Sequence, residues 1–249
     1  MDMAANMEAL PRAVELATVS ARNPRWRPGI AAPLHSEIFA PATQASGVGA
    51  ALAFAIDGLR TRQAGDASAE QRSVLWVQDA GARRLAGRPY RAGLPDHLRH
   101  RLIHVAAKTP EDALFAMEEG IRCRDLACVI GEMVGNPRAL DFTASRRLSL
   151  AAEKHGVPLL LVRLDAVPDL SSARMRWQLR AAPSVPPLWN ASAPGRPAWH
   201  AELFRARRHA PGEWLLRDEV SGLLAERPIT CIPESTLQGE VEVRALGSG

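Results

Sequence analysis

Residues 42–49, with the sequence ATQASGVG, have the length and glycine content of a phosphate-binding loop. A short apolar strand at residues 38–39 precedes them, and an amphipathic helix follows them. In loops with the pattern GxxxxGK[ST], backbone N–H groups and a lysine hold phosphates, and a hydroxyl holds Mg²⁺. When the pattern starts at Ala42, Val48 takes the lysine position and Gly49 takes the hydroxyl position. The sequence therefore predicts the shape of this loop without its chemistry.

Two interpretations of the loop are open. In the first, the loop is a degenerate phosphate site whose helix N-terminus still attracts anions weakly. That remnant consists of Ala42, Ser46, Gly47, Val48 and Gly49. In the second, the two glycines only form a tight turn. Neither interpretation supports hydrolysis of Mg-nucleotide, because no cation neutralises the transferring phosphoryl group. We therefore expect no cofactor and no metal.

Arginines in the C-terminal half form a second candidate site, for nucleic acid. One set alternates with apolar residues along a predicted strand, so its members share one face of that strand. The other set lies in or beside a later strand. The candidates are Arg174, Arg176, Arg180, Arg205, Arg207 and Arg208. If the two strands are neighbours, these side chains would form a basic stripe that contacts phosphates. The alternative is a solvated face on which they pair with acids such as Glu202 and Asp218.

Composition favours one large domain of an ordinary type. The chain has 249 residues, and 31 basic against 27 acidic residues give a formal net charge of +4. Nearly all the basic residues are arginine, since Lys108 and Lys154 are the only lysines. Such a bias often reflects a GC-rich coding sequence, so charge alone does not indicate nucleic-acid binding.

The three cysteines have no metal-ligand spacing, and reduced thiols are the expected state. Acids near the N-terminus argue against a signal peptide, and no apolar run is long enough to cross a bilayer. We therefore expect a soluble, cytoplasmic protein without membrane contact.

Apolar runs and helical patterns alternate along the chain, as in an α/β fold. We predict strands at 74–77, 102–105, 126–130 and 159–162, and helices at 48–59, 110–122 and 141–155. Such alternation predicts a mainly parallel central sheet covered by helices. Period-2 patterns at 174–181, 199–207 and 213–217 predict C-terminal antiparallel strands that extend it.

The chain divides into three parts at this level. Residues 1–30 would form an N-terminal helical arm and linker, with a helical period over 4–19 that Pro11 interrupts. This arm would pack on the main body or on another molecule. Residues 31–226 would form the core, and residues 227–249 have no clear pattern and would form a flexible tail.

The order of these parts resembles the RecA core, and several blocks resemble the ImuA family, RecA-like proteins of bacterial mutagenesis cassettes. The blocks are 35–41 (HSEIFAP), 143–163 (TASRRLSLAAEKHGVPLLLVR), 171–184 (SSARMRWQLRAAPS) and 193–216 (APGRPAWHAELFRARRHAPGEWLL). The last block is the most specific. The resemblance covers about residues 35–220.

The resemblance implies which acids a working ATPase would need. Gly81 stands where RecA proteins have the glutamate that activates water, and Gly131 stands where they have the aspartate that organises the metal. Glu132 comes one residue late, and side-chain alternation would turn it toward the other face. The resemblance therefore implies a protein that is not an enzyme.

Family resemblance also implies partners. It predicts an adaptor in SOS-induced, error-prone translesion DNA synthesis that contacts an ImuB-type relative of Y-family polymerases and a DnaE-type error-prone polymerase, with RecA as a third candidate. Direct DNA binding has little support, because the segments in the place of the RecA DNA loops, 133–139 and 165–173, contain a single arginine, Arg138. The alternatives are a cell-division inhibitor of the SulA type, or a RecA paralogue that binds DNA or hydrolyses ATP weakly. The block at 193–216 and the chain length favour ImuA.

Overall fold

One nine-stranded sheet organises the protein. The computed structural model describes residues 24–29, 34–63 and 71–227. The predicted helical segment at 4–19 and residues 228–249 of the predicted tail lie outside these ranges. The strands are β1 (His35–Ala40), β2 (Ser73–Gln78), β3 (Leu102–Ala106), β4 (Leu126–Val134), β5 (Leu159–Leu164), β6 (Met175–Ala181), β7 (Ala198–Ala206), β8 (Gly212–Glu219) and β9 (Gly222–Glu226).

The strand order is β3-β2-β4-β5-β1-β6-β7-β8-β9. Strands β1 to β6 are parallel, and β6 to β9 form an antiparallel meander. This arrangement confirms the predicted class, a mainly parallel α/β sheet with C-terminal antiparallel strands, and it is consistent with a RecA-like fold. Both faces of the central strands β4 and β5 are covered, and these strands are largely apolar, as the sequence indicated.

Helices cover the two faces unequally. They are α1 (Ser46–Gln63), α2 (Ala80–Ala86), α3 (Asp96–Arg99), α4 (Pro110–Arg122) and α5 (Phe142–His155). Helix α1 packs on one face, and α4 and α5 pack together on the other. The start of α4 is the predicted one, because the Thr109 hydroxyl accepts a hydrogen bond from the N–H of Asp112. No helix in the described ranges combines the length and the apolar content needed to span a membrane.

Four elements differ from the expectation. Residues 80–86 and 96–99 are helical where no helix was predicted, and β9 was not anticipated. Strand β4 continues four residues beyond the predicted end at 130. Residues 165–174 contain no helix, and they pass between β1 and α5 to bring the chain back to the start of β6.

Candidate functional site

The segment between β1 and α1 has the predicted strand, loop and helix geometry. Helix α1 begins at Ser46, so both glycines of the loop lie in its first turn. A Cβ atom on Gly47 would lie only 2.7 Å from the Cβ of Ala40, and one on Gly49 would lie 3.2 Å from the indole of Trp199. The glycines therefore have a packing role, close approach of helix to sheet, that does not depend on a phosphate.

Side chains of the protein itself bind this loop. The Asp165 carboxylate accepts a hydrogen bond from the backbone N–H of Ala42, at 2.8 Å. The side-chain oxygen of Gln44 accepts one from the N–H of Ala181, at 2.8 Å, which fixes the loop to the end of β6. The Asp165 carboxylate adds a negative charge at the start of the loop, and this charge would repel an anion that approaches there.

A cavity of about 410 Å³ lies beside the loop. Residues 42–45 and Val48 line one side of it, and the Glu132 side chain lines another. Among the described residues that line the cavity, Arg88 is the single cation. A triphosphate there would meet one exposed arginine, in place of a lysine and a magnesium ion.

Glu132 accepts hydrogen bonds from two uncharged donors, the indole N–H of Trp76 and the amide of Gln78, the latter at 3.2 Å. Gln78 also contacts the His104 ring at 2.9 Å through its amide oxygen. Burial raises the pKa of Glu132 to about 7; the two hydrogen bonds oppose this shift, and the neighbouring Asp79 adds to it. Glu132 is therefore an engaged side chain of a polar network, and no guanidinium or ammonium group contacts it in the described part of the chain.

The direction of Glu132 differs from the expectation. It lies on the α1 face of the sheet and borders the loop cavity. Gly131 faces the opposite side, where an added Cβ would lie 2.2 Å from the sulfur of Met117. An aspartate at position 131 would therefore point away from the loop. The sequence interpretation that turned Glu132 away from the site is corrected.

The acid that follows β2, Asp79, lies at the start of helix α2. Asp79 accepts hydrogen bonds from the N–H groups of Ala82, at 2.6 Å, and Val134, at 3.4 Å. The carboxylate therefore caps α2 and contacts the end of β4. Gly81 follows inside α2, and an added Cβ there would lie 3.2 Å from the Asp79 carboxylate. Among the described residues, no group of His, Cys, Asp and Glu side chains is arranged to hold a metal ion.

A buried ionic network lies on the other face of the sheet, under residues 165–174. The Glu37 carboxylate is 2.7 Å from Arg176 and 3.8 Å from Arg163. Asp169 approaches the same two guanidinium groups at 3.6 and 3.8 Å, and the Ser171 hydroxyl donates a hydrogen bond to Glu37 at 2.8 Å. This network holds the returning segment onto the sheet.

The two segments that the resemblance assigned to the place of the RecA DNA loops, 133–139 and 165–173, bind each other. The amide of Asn136 donates hydrogen bonds to the carbonyl of Val167 and to the carboxylate of Asp169, both at 2.8 Å. Its oxygen accepts one from the N–H of Val167 at 2.9 Å. Both segments are therefore fixed by contacts within the protein.

The six candidate arginines do not form one stripe. Arg176 is only 3% exposed, because its guanidinium pairs with Glu37, so its prediction as a nucleic-acid contact is corrected. Arg180 lies at the far end of β6, in a shallow groove with Glu202 and Glu213.

The remaining candidates lie close together at the start of β6. Arg174, Arg205 and Arg207 line one groove, and the N–H of Arg207 donates to the carbonyl of Arg174 at 3.1 Å. Arg208 follows as an exposed neighbour. The prediction of a shared basic surface therefore stays open for these four residues alone.

The sequence did not reveal the charged residues that bind the loop and hold residues 165–174 on the sheet. Asp165 and Asp169 were not singled out as site residues. Glu37 and Arg163 were passed over, although each is a charge inside an apolar strand, in SEIFA and LLLVRL. Opposite charges inside two apolar runs indicate a buried pair, because an isolated buried charge is very costly.

Comparison with known proteins found two relatives of this chain and no matching family model. The chain is 32% identical over 180 residues to "Protein ImuA" of Caulobacter vibrioides strain NA1000 / CB15N, and equally to that of strain ATCC 19089 / CIP 103742 / CB 15. Each alignment covers 67% of this chain and 66% of the relative, so the chain spans just under two thirds of the curated relatives it matches.

Proposed function

Because the chain belongs to the ImuA family, we propose that it is a non-catalytic, RecA-like adaptor in SOS-induced, error-prone translesion DNA synthesis. Its partners in this proposal are an ImuB-type relative of Y-family polymerases and a DnaE-type error-prone polymerase, with RecA as a further candidate. The protein would act through its surfaces, since a fold can persist while its original site is lost.

One observation carries the non-catalytic part of the proposal. The protein's own carboxylate, that of Asp165, binds the N–H of Ala42 at the start of the loop. The neighbouring acid, Glu132, is engaged by Trp76 and Gln78. Val48 provides no charge at the lysine position. Phosphoryl transfer depends on positioned cations, so this site favours a structural role.

Thermal melting with Mg-ATP tests this part directly. A ligand at one hundred times its Kd stabilises a protein by about 2.7 kcal/mol, which raises the Tm of a domain of this size by about 5–10 °C. We expect a shift below about 1 °C with millimolar ATP and Mg²⁺. A shift of several degrees that requires Mg²⁺, together with release of phosphate, would refute the non-catalytic assignment.

The adaptor part needs a separate measurement. Calorimetric titration of the purified chain with the ImuB-type protein, the DnaE-type polymerase and RecA, each from the same source, should detect association with at least one of them. The titrations are repeated without nucleotide, because we expect assembly to be independent of ATP. Absence of heat and of co-elution with all three proteins would exclude the adaptor function.

A further inference from the structure

A groove of about 490 Å³ lies on the sheet face covered by α5. One wall is α5, the other is the end of β7, and residues 171–174 form the floor. The groove is separate from the loop cavity, which lies on the α1 side of the sheet.

The α5 wall combines apolar side chains with a charge. Phe142, Arg146 and Leu150 are spaced four residues apart, so they form one stripe along the helix, and all three line the groove. Phe142 is 47% exposed and Leu150 is 52% exposed. Two large apolar side chains thus face the solvent on either side of an arginine.

The opposite wall is basic. Arg205 and Arg207 line it and are exposed. Within the described ranges, no carboxylate pairs with Arg146, Arg205 or Arg207. Arg174, in contrast, binds Glu153 at 2.6 Å. In the part of the chain that the structure describes, the groove therefore has three positive charges without a carboxylate partner around an apolar stripe.

We propose that this groove binds a short acidic, amphipathic segment of a partner protein. Apolar side chains of the segment pack between Phe142 and Leu150, and its carboxylates face Arg146, Arg205 and Arg207. Such a segment needs about eight helical residues, since eight positions of a helix span about 12 Å. The inference rests on the proposed adaptor function only in that the partner is a protein.

The groove suits a peptide better than single-stranded nucleic acid. Sequence-tolerant nucleic-acid grooves place aromatic rings in succession so that bases stack on them. Here one aromatic ring, that of Phe142, is followed by the aliphatic side chain of Leu150 about 12 Å along the helix. An aliphatic side chain contributes to peptide binding by apolar burial and offers no stacking surface for a base.

Selection from a random library of twelve-residue peptides displayed on phage, with the full chain as bait, tests the proposal. We expect enriched peptides to combine two or more acidic residues with leucine, isoleucine or aromatic residues. In fluorescence anisotropy, Arg205→Glu with Arg207→Glu should weaken the selected peptides at least tenfold, and Leu150→Ser alone should weaken them severalfold. Arg83→Glu with Arg84→Glu, a charge-matched pair on α2, should leave their affinity unchanged. Melting curves check that each variant is folded.

Other results would overturn the proposal. Enriched peptides without acidic residues, or equal binding to the Arg205/Arg207 double variant, would exclude the groove as an acidic-peptide site. Tighter binding of a labelled twelve-residue oligothymidylate, lost in the double variant but not in Leu150→Ser, would assign the groove to nucleic acid. Self-association of the wild type that the double variant abolishes would assign it to a second copy. If the chain binds the selected peptides but none of the ImuB-type protein, the DnaE-type polymerase and RecA, only the adaptor function would be refuted.

Discussion

At the level of single residues, two buried glutamates have different partners. Among the described residues, the Glu132 carboxylate accepts hydrogen bonds from uncharged donors alone, those of Trp76 and Gln78, and its pKa rises to about 7 through burial. Glu37 contacts the guanidinium groups of Arg176 and Arg163. One carboxyl group therefore retains a proton up to about neutral pH, while the other is part of an ionic network that fixes a crossing segment.

Replacing Glu132 with Gln should change how stability depends on pH. The carboxyl of an unfolded chain loses its proton near pH 4.5, whereas the folded one keeps it to about 7. Between these values the folded state binds more protons, so this group lowers the free energy of unfolding as the pH rises. In urea titrations from pH 5 to 8, wild type should lose about 1–3 kcal/mol relative to Glu132→Gln.

The free energy of unfolding of wild type must be compared with that of Glu132→Gln at each pH, because His35 has the opposite effect on how stability depends on pH. Burial, followed by the charges of Arg174 and Arg176, lowers the pKa of His35 from 6.5 to about 3. Its contribution is fully present above pH 6.5 and is lost as the pH falls toward 3. The two effects partly cancel in the wild-type curve. Parallel curves for wild type and Glu132→Gln would contradict the assignment of a proton to Glu132.

Replacing Glu37 with Gln should destabilise the protein strongly. The change removes the 2.7 Å pair of Arg176 and, among the described residues, leaves that buried guanidinium with only the carboxylate of Asp169, 3.8 Å away. Breaking a buried pair costs about 3–5 kcal/mol. Glu153→Gln is the matched control, because the Glu153 pair with Arg174 is partly exposed and should contribute less than about 1 kcal/mol. Urea denaturation at pH 7 measures both variants. Equal losses would show that burial of the network does not matter.

At the level of elements, the predictable parts were those with a local signal. Strands β4 and β5 are continuous apolar runs, and α4 has its Thr109 cap, so both kinds of element could be predicted. Helix α2 was missed because glycine and arginine in AGARRLA resemble a loop, although Asp79 was a usable cap signal. Its residues are helical because that cap, packing on β4 and the high helix propensity of alanine, leucine and arginine outweigh the single glycine.

The features of the site also divide into those with a local signal in the sequence and those without one. The loss of lysine at Val48 is visible in the sequence. The carboxylate of Asp165 at Ala42 is not, since 123 residues separate them. The face of Glu132 could not be predicted either, because β4 is buried on both sides and apolar alternation gives no direction there. Tertiary contacts, which no local pattern encodes, decide both features.

Gly47 tests the fit of α1 on the sheet. A methyl group there would meet the Cβ of Ala40 at 2.7 Å and a methyl of Val162 at 3.0 Å. We expect Gly47→Ala to destabilise by about 1–3 kcal/mol through overpacking. Gly58→Ala, on the same helix with nothing within 4 Å, should stabilise by about 0.5–1 kcal/mol. Thermal and urea denaturation of both variants give the comparison, and a stabilising Gly47→Ala would refute the close packing.

At the level of the whole molecule, an aromatic cluster joins segments that are distant in sequence. Trp26 lies ahead of β1, and its ring is 4.8 Å from Trp177 on β6, 5.6 Å from Phe54 on α1 and 5.7 Å from Trp214 on β8. The contacts are edge-to-face, an arrangement that adds about 0.5–1.5 kcal/mol per pair beyond burial. One side chain therefore connects the parallel half of the sheet to the meander.

Trp26→Ala should show whether the meander folds together with the parallel half. Trp26 is 6% exposed, so its loss leaves a cavity between three rings and should cost about 3–5 kcal/mol. Trp189→Ala is the control, because Trp189 is 81% exposed and should change stability by less than about 0.5 kcal/mol. If the halves fold as one unit, Trp26→Ala lowers a single denaturation midpoint and weakens the near-UV circular dichroism of the cluster. Two separate transitions, with amides of β8 exchanging before those of β4, would instead show that the meander is an independently unfolding unit and that Trp26 is its main attachment.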